Sequence, residues 1–285
     1  PFERTVNSGK PDFPFCLGWA NHDWTTKTWE KGKGRSKDTM IFKQEYPGDE
    51  DYIMHFNQFL KAFKDDRYIK VDGKLLFLVF NPFGIPDVKH FTELWNKLAK
   101  ENGLEGFHFV AAPKLKLDST TSSFENDYKK KIEGTRALGF DAVMTSNQKN
   151  AELKVAGKFR KILNSIVRRF MPSLYVEKYS YKKIIENLYT NLDKRNDVYP
   201  QLLAGWDRSP RSGRKAIVYY GTTPETFKYA AEMAVKQVEN KESDHKIIFL
   251  NSWNEWGEGA YMEPDLEFGK GKIEALAEVL DIKKV

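Results

Sequence analysis

Apolar runs alternate with amphipathic stretches along the whole chain, and that rhythm defines its elements. Runs with strand character fall at FPFCLGWA (13–20), LLFLVF (75–80), FHFVAA (107–112), DAVMT (141–145), QLLAGW (201–206) and KIIFLNSW (246–253). Between them, apolar residues recur at helical spacing in DYIMHFNQFLKAF (51–63), VKHFTELWNKLAKEN (88–102), YSYKKIIENLYTNL (179–192) and PETFKYAAEMAVKQVEN (224–240). That i, i+3, i+4 repeat turns one face of a helix toward a core. Pro224 suits a first helical position, and Gly103 comes after a lysine-bearing last turn, the ordinary start and stop signals. Strands alternating with helices imply βαβ units and a parallel sheet, whose strands read as continuous apolar runs because both faces are covered.

The residues just past each strand select among α/β folds. No glycine-rich phosphate loop succeeds any of them, which argues against a doubly wound nucleotide-binding sheet. The carboxyl ends instead carry WANHDW, FNPF, AAPK, TSN, WDRSP and NEWGEG. A (β/α)8 TIM-type barrel builds its site from such loops, so a barrel is the expected fold, although six strands cannot close one. Segments 20–50 and 146–178 read as long loops, which in compact domains are functional or disordered. With no repeat, low-complexity tract or linker, residues 1–285 read as a single domain.

Composition narrows the class. Forty per cent hydrophobic and 30% charged residues describe an ordinary globular chain of 285 residues. The apolar runs fall far short of a membrane-spanning length. PFERTVNSGKPDFPF has neither an initiator Met nor the pattern of a secretory signal, so the chain reads as a fragment or processed product. Cys16 is the only cysteine; this excludes an internal disulfide and cysteine-cluster zinc sites and favours a reducing, cytoplasmic setting.

The net charge of +6 is concentrated. Residues 153–172 hold Lys154, Lys158, Arg160, Lys161, Arg168 and Arg169 and no acid, with Val155, Phe159, Ile162, Leu163, Ile166, Val167 and Phe170 at spacings of three and four. A basic amphipathic helix of this kind either makes peripheral contact with an anionic membrane or packs on its domain with its lysines solvated. No recognised nucleic-acid motif accompanies the charge, so nucleic acid is not an expected partner.

The chemistry gathers in IIFLNSWNEWGEGAYMEPD (247–265), which sets Glu255, Glu258, Glu263 and Asp265 among Trp253, Trp256 and Tyr261. A spacing of three puts Glu255 and Glu258 on one side if the chain turns helically. Carboxylates held close and partly desolvated can supply an acid and a base from one residue type, as cleavage of glycosidic bonds requires. Alone, E-x-x-E would equally cap a helix or pair with surface arginines. Six of the seven tryptophans (Trp19, Trp24, Trp29, Trp206, Trp253, Trp256) lie at strand ends among Asn21, Asp23, Asp207 and Asn254, whereas Trp95 reads as helix-face core. Indole plates beside polar side chains match the C–H faces and hydroxyls of a carbohydrate; a structural plug of aromatics is the alternative. In WDRSPRSGR (206–214), Arg208, Arg211 and Arg214 either dock a phosphate or acidic sugar or pair internally with Asp207. His55, His90, His108 and His245 read as structural, and only His22 stands at a strand end. HExxH, GxSxG and Walker patterns are absent, so no metal or cofactor is expected.

Taken together, FPFCLGWANHDWT, FKQEY, DDRYIKVDGKLLFLVFNP, IPD, GWDRSPR and NSWNEWGEGAYMEPD resemble the WbsX-type glycosyltransferase family, which is similar in fold and site to glycoside hydrolase family 99. The resemblance spans nearly the whole chain and implies a (β/α)8 barrel and a role in building bacterial surface polysaccharide such as O-antigen, lipopolysaccharide or capsule. By the hydrolase branch it implies action on α-mannosidic bonds with retention. By position, Glu255 would be the base that deprotonates a sugar 2-hydroxyl, giving an anhydro-sugar intermediate, and Glu258 the general acid and then base. Trp19, Trp206, Trp253 and Tyr261 would wall the sugar, with Asn21, Asp23, Trp24, Glu45, Asp207, Arg211, Asn254, Trp256 and Glu263 also contacting an oligosaccharide or sugar donor. The chain departs from the family at Asn21-His22-Asp23 and at Phe80-Asn81-Pro82, and the family begins about two strands earlier, so the first two barrel strands are expected to be missing. An endo-α-mannosidase-like hydrolase and a non-catalytic sugar-binding domain are the rival readings.

Overall fold

A computed structural model describes residues 2–26, 39–113, 124–170, 176–213 and 216–281. Trp29 and Arg214 lie outside the described residues. A short helix α1 (Phe2–Ser8) precedes β1 (Leu17–Trp19) and the hairpin of β2 (Trp24–Thr25) with β3 (Met40–Phe42). Helix α2 (Asp49–Phe63) opens on Asp49, Glu50 and Asp51, which favour the positive end of its dipole. Strand β4 (Lys70–Val71) turns back onto β5 (Lys74–Val79). Helix α3 (Val88–Glu101) starts where the Asp87 carboxylate accepts the backbone N–H of His90 at 3.0 Å, a side-chain cap for an otherwise orphaned donor. Then come β6 (Phe107–Ala111), α4 (Phe124–Arg136) and β7 (Ala142–Met144).

The segment 146–178, expected to be a long loop, contains helices α5 (Gln148–Ala156) and α6 (Lys158–Phe170). The helix expected across 153–172 is therefore two, broken at Gly157, whose φ of +74° suits a residue without a Cβ. The helix expected over 179–192 is also shorter: Tyr179 belongs to β8 (Glu177–Ser180), and only α7 (Tyr181–Glu186) comes after it. Beyond lie β9 (Val198–Tyr199), β10 (Gln201–Leu203), α8 (Ser209–Ser212), β11 (Ile217–Tyr220) and α9 (Pro224–Val238), the last with Pro224 at its start as read from the sequence. The chain closes with β12 (Phe249–Asn251), the hairpin of β13 (Asn254–Glu255) with β14 (Ala260–Tyr261), and α10 (Gly271–Val279).

The main sheet runs in the order β1-β5-β6-β7-β9, all parallel, with β4 antiparallel on β5. Pro200 has no N–H to give the ladder and divides the next strand: β9 pairs with β7, and β10 pairs in parallel with β12. The carbonyl of Pro200 itself accepts the N–H of Phe249 at 3.0 Å, so the parallel series continues to β12. Its six members are the six apolar runs of the sequence. A second parallel pair, β8 with β11, was not among them. The closed (β/α)8 barrel is not seen: among the described residues the series ends at β1 on one side and β12 on the other.

Both faces of the series are apolar because successive strand residues point to opposite sides. Phe77, Val79, Phe107 and Phe109 pack on Phe56, Phe63, Phe91 and Trp95 of α2 and α3. Leu76, Val110, Ala142, Met144 and Tyr199 face the other way and meet Cys16, Leu78, Ile247 and Phe249. Burial there pushes the Cys16 thiol up to about 11. A third cluster joins Tyr179, Tyr219, Leu202 and Leu203 to Phe227 and Ala231 of α9.

Candidate active site

The turn after β12 is built to hold Glu255 and Glu258. It begins at a cis peptide between Asn251 and Ser252. The Ser252 hydroxyl accepts the N–H of Glu255 at 3.1 Å and donates to the carbonyl of Ala260 at 2.6 Å, tying both sides of the β13–β14 hairpin. Trp256–Glu258 forms one tight helical turn, ended by Gly259 at φ +60°. A Cβ on Gly259 would lie 2.7 Å from the backbone nitrogen of Asp207, and one on Gly205 would lie 2.7 Å from the carbonyl oxygen of Gly259. Two glycines therefore let the loop after β10 press against the turn after β12, where the Asp207 N–H donates to the Glu258 carbonyl at 2.7 Å.

That approach delivers two guanidinium groups. Arg211 Nη1 donates to Glu258 Oε1 at 2.8 Å, and Arg208 Nε stands 3.2 Å from the same oxygen. The Glu258 side chain is 18% exposed and its arginine partners 35–39%, so the contact is partly shielded from water. The Arg211 guanidinium is held more firmly protonated than usual, first by its hydrogen bond to Glu258, against the opposing effect of burial, and then by attraction to Glu258 and Glu255. One cation thus feels both carboxylates. The pairing of these arginines with Asp207 expected from WDRSPRSGR is not seen: Arg208 and Arg211 face Glu258, while Asp207 accepts the N–H of Ser209 at 2.8 Å in its own turn.

Aromatic walls stand beside this pair. Trp256 stacks on Tyr261 with ring centroids 3.8 Å apart and planes 13° from parallel. The Trp256 indole N–H donates to Glu263 at 2.5 Å, and the Tyr261 hydroxyl donates to Asp265 at 3.1 Å. Burial, with that bond to Asp265, pushes the Tyr261 hydroxyl up. Lys272 lies 4.3 Å over the Tyr261 ring, a cation–π contact, and donates to the Tyr261 carbonyl at 3.1 Å; burial lowers its ammonium. Trp206, Asp207, Trp256, Tyr261, Phe268 and Lys272 line a cleft of about 470 Å³. Among the described residues its lining includes the backbone turn at Gly259 but neither Glu255 nor Glu258. A hollow of about 540 Å³ on α2 is larger, but its wall of Glu50, Ile53, Met54, Asn57 and Gln58 comes from one helix and holds a single ionisable group.

Near β1, the residues expected to contact sugar are either engaged by protein partners or face solvent. Trp19 packs against His55 at 4.8 Å, Phe91 at 5.5 Å and Tyr46 at 5.8 Å. Asn21 is wholly buried; its amide donates to the Tyr46 hydroxyl at 3.0 Å and the Asn81 carbonyl at 2.8 Å, and its oxygen accepts the Asn81 N–H at 2.7 Å. Both amide hydrogens being used, Asn21 clamps the end of β1 to the end of β5 and has no donor left for a sugar. Asp23 accepts the N–H of Gln44 at 2.9 Å, Trp24 is 60% exposed, and Glu45 is exposed beside Lys43 at 3.9 Å. Trp253 and Asn254 are exposed on the β13 side.

Lys272, Ser252 and Tyr219 escaped the sequence reading, since nothing local marks them. The Tyr219 hydroxyl donates to the buried Glu152 at 2.8 Å, and that of Tyr179 donates to the buried Glu177. The Tyr199 hydroxyl lies between His108 at 2.9 Å and His245 at 3.0 Å, and His245 reaches Asp72 at 3.0 Å. Burial drives the His108 imidazole down to about 4. Among the described residues no three His, Cys, Asp or Glu side chains converge as a metal site would need, and no helix is long and apolar enough to cross a membrane.

Comparison with known proteins adds to this geometry. Two uncharacterized WxcX proteins, from Xanthomonas campestris pv. campestris strains B100 and ATCC 33913, are each 25% identical to it over 270 residues. Those matches cover 94% of this chain but 34% of the relatives, so it spans about a third of their length. A solved glycoside hydrolase-like protein is similar in fold, with a TM-score of 0.51 at 14% identity over 81% of this chain and 62% of its own. The model of the glycosyltransferase WbsX family matches residues 1–276, nearly end to end, and the chain belongs to that family.

Proposed function

We propose that this chain is the glycosyl-transfer unit of a carbohydrate-active enzyme that assembles bacterial surface polysaccharide. The observation that carries the reading is the seating of Arg211 on Glu258 at 2.8 Å, in the same tight β12 turn that carries Glu255, beside a cleft walled by Trp206, Trp256 and Tyr261. Family membership and the likeness to a glycoside hydrolase-like fold support it. In this reading the six-strand parallel series is an arc of a (β/α)8 barrel, with the site at its carboxyl end.

Glu255 takes the proton of the sugar 2-hydroxyl as that oxygen attacks the anomeric carbon, whereas Glu258 is held by a hydrogen bond from Arg211 and an ion pair with Arg208. Glu258 gives a proton to the departing oxygen and then removes one from the incoming acceptor hydroxyl, whose oxygen bonds to the anomeric carbon as the bond from the 2-oxygen breaks and that oxygen takes its proton back from Glu255. In the present arrangement Glu258 Oε1 is occupied by Arg208 and Arg211, so the acid role needs those donors to shift when substrate enters. Trp256 and Tyr261 supply a stacked apolar plate for a sugar face, and Glu263 and Asp265 keep that plate oriented.

The test is replacement of each carboxylate in the full-length protein, with product analysis using lipid-linked and nucleotide sugars as donors. Glu255→Gln and Glu258→Gln are each expected to lower turnover by on the order of 10²–10⁴-fold, the range of a lost acid or base, with urea unfolding unchanged for Glu255→Gln. Undiminished turnover in either variant removes that residue from the chemistry. The hydrolase reading rests on the fold likeness, and the same assay decides it: sugar released to water at an equal rate with no acceptor present would replace transfer by hydrolysis.

A further inference from the structure

Helix α6 carries an apolar surface that the candidate site does not explain. Phe159 is 82% exposed, Phe170 74%, Ile162 61%, and Leu163 and Ile166 49% each. At 3.6 residues per turn these positions fall on one stripe about 100° wide. The opposite side is the attached one, since Asn164 is 7% exposed. The break at Gly157 lets α6 leave the line of α5. A contiguous stripe of two phenylalanines and three branched aliphatics facing water is unfavourable unless something covers it.

Charge identifies the cover. Lys158–Phe170 contains Lys158, Arg160, Lys161, Arg168 and Arg169 and no acidic residue. A second copy of the chain would bring two such sets of cations together across the stripe, and like charges at close range oppose that contact. An anionic bilayer surface satisfies both features: the apolar stripe enters the boundary of headgroups and acyl chains while the cations meet lipid phosphates. Thirteen residues are too few to span a bilayer, so the helix lies in the interface. We propose that α6 seats this protein peripherally on anionic membrane lipid. Partitioning rather than turnover is the readout, so this seat stands or falls independently of the catalytic reading.

The experiment is co-flotation of the full chain with vesicles of phosphatidylcholine alone or mixed with phosphatidylglycerol. The wild type should float with the mixed vesicles, poorly with the neutral ones, and less as salt is raised. F159S/I166S/F170S should abolish flotation; these side chains are exposed, and near-ultraviolet circular dichroism checks that the fold persists. Arg160 and Arg169 flank the stripe on the helical wheel, and R160Q/R169Q should weaken partitioning about 30-fold, at about 1 kcal/mol for each cation near the surface and tenfold per 1.4 kcal/mol. Failure of the wild type to float with phosphatidylglycerol overturns the proposal. So does flotation that survives both sets of substitutions, or a dimer in sedimentation that F159S/I166S/F170S dissociates while vesicles are ignored, which would make a second copy the occupant.

Discussion

Asn21 shows what a single side chain does when three partners saturate it. Its amide joins Tyr46, Asn81 and the turn after β1 with no exposure to water. Asn21→Ala would leave the Asn81 N–H and carbonyl without their buried partner, at about 1–3 kcal/mol. A lower urea midpoint with an unchanged slope is the expected measurement, and an unchanged midpoint would mean that water replaces the amide. In the sequence, asparagine beside Trp19 reads equally well as a sugar ligand. The partners that decide the matter lie 25 and 60 positions away, out of reach of any local pattern. Arg211 teaches the same lesson: its loop left an external ligand and an internal pairing with Asp207 equally open, and its partner in the fold, Glu258, is 47 positions distant. By contrast, the aromatic and acidic residues of 253–263 meet one another within a single hairpin and turn, so that half of the candidate site was visible in one stretch of letters.

Between elements, the decisive contact is the seating of the β10–α8 loop on the β12 turn. Gly205 and Gly259 permit it, and a methyl group at Gly259 would meet Asp207 at 2.7 Å with the backbone already at positive φ. Gly259→Ala is therefore expected to cost about 1–2 kcal/mol from the left-handed backbone alone and to push Arg208 and Arg211 off Glu258. Turnover should fall at least as far as in Arg211→Gln, whereas equal activity in Gly259→Ala and wild type would show that the two loops need not touch. Strands were legible where burial on both faces made the run continuous, as in β5 and β6. Strand β8 was not, because EKYS reads as polar; its Glu177 is buried only because Tyr179 and other groups serve it. Helix α6 was legible in the period of Phe159 to Phe170, whereas α5 was hidden in what read as a loop, since QKNAELKVA carries few apolar residues and Gly157 separates it from that period.

For the molecule as a whole, the packing of α2 and α3 on β1 makes stability depend on pH. His55 of α2 lies among Trp19, Phe59 and Trp95, with ring centroids 4.8 to 5.2 Å away. Burial outweighs the attraction of Asp51 and takes its imidazole down to about 4 from an ordinary 6.5. Above pH 6.5 the ring is neutral in both folded and unfolded chains and contributes no pH dependence. Below 6.5 the unfolded chain binds a proton that the folded one refuses until about pH 4, so stability falls with pH across that window and levels off beneath it. Over the window the loss is on the order of 3 kcal/mol for a ring this well buried. Phenylalanine fits a similar volume and cannot titrate, so the stabilities of wild type and His55→Phe should run parallel above pH 6.5 and converge or cross between 6.5 and 4 as the wild type loses ground. His108 acts in the same direction in both proteins, which leaves a common slope that the difference removes. Urea midpoints measured at half-unit intervals provide the comparison. A constant difference from pH 7 to pH 4 would mean that His55 charges freely in the folded chain, and the seal that Trp19, α2 and α3 form over the edge of the sheet would then have to admit water.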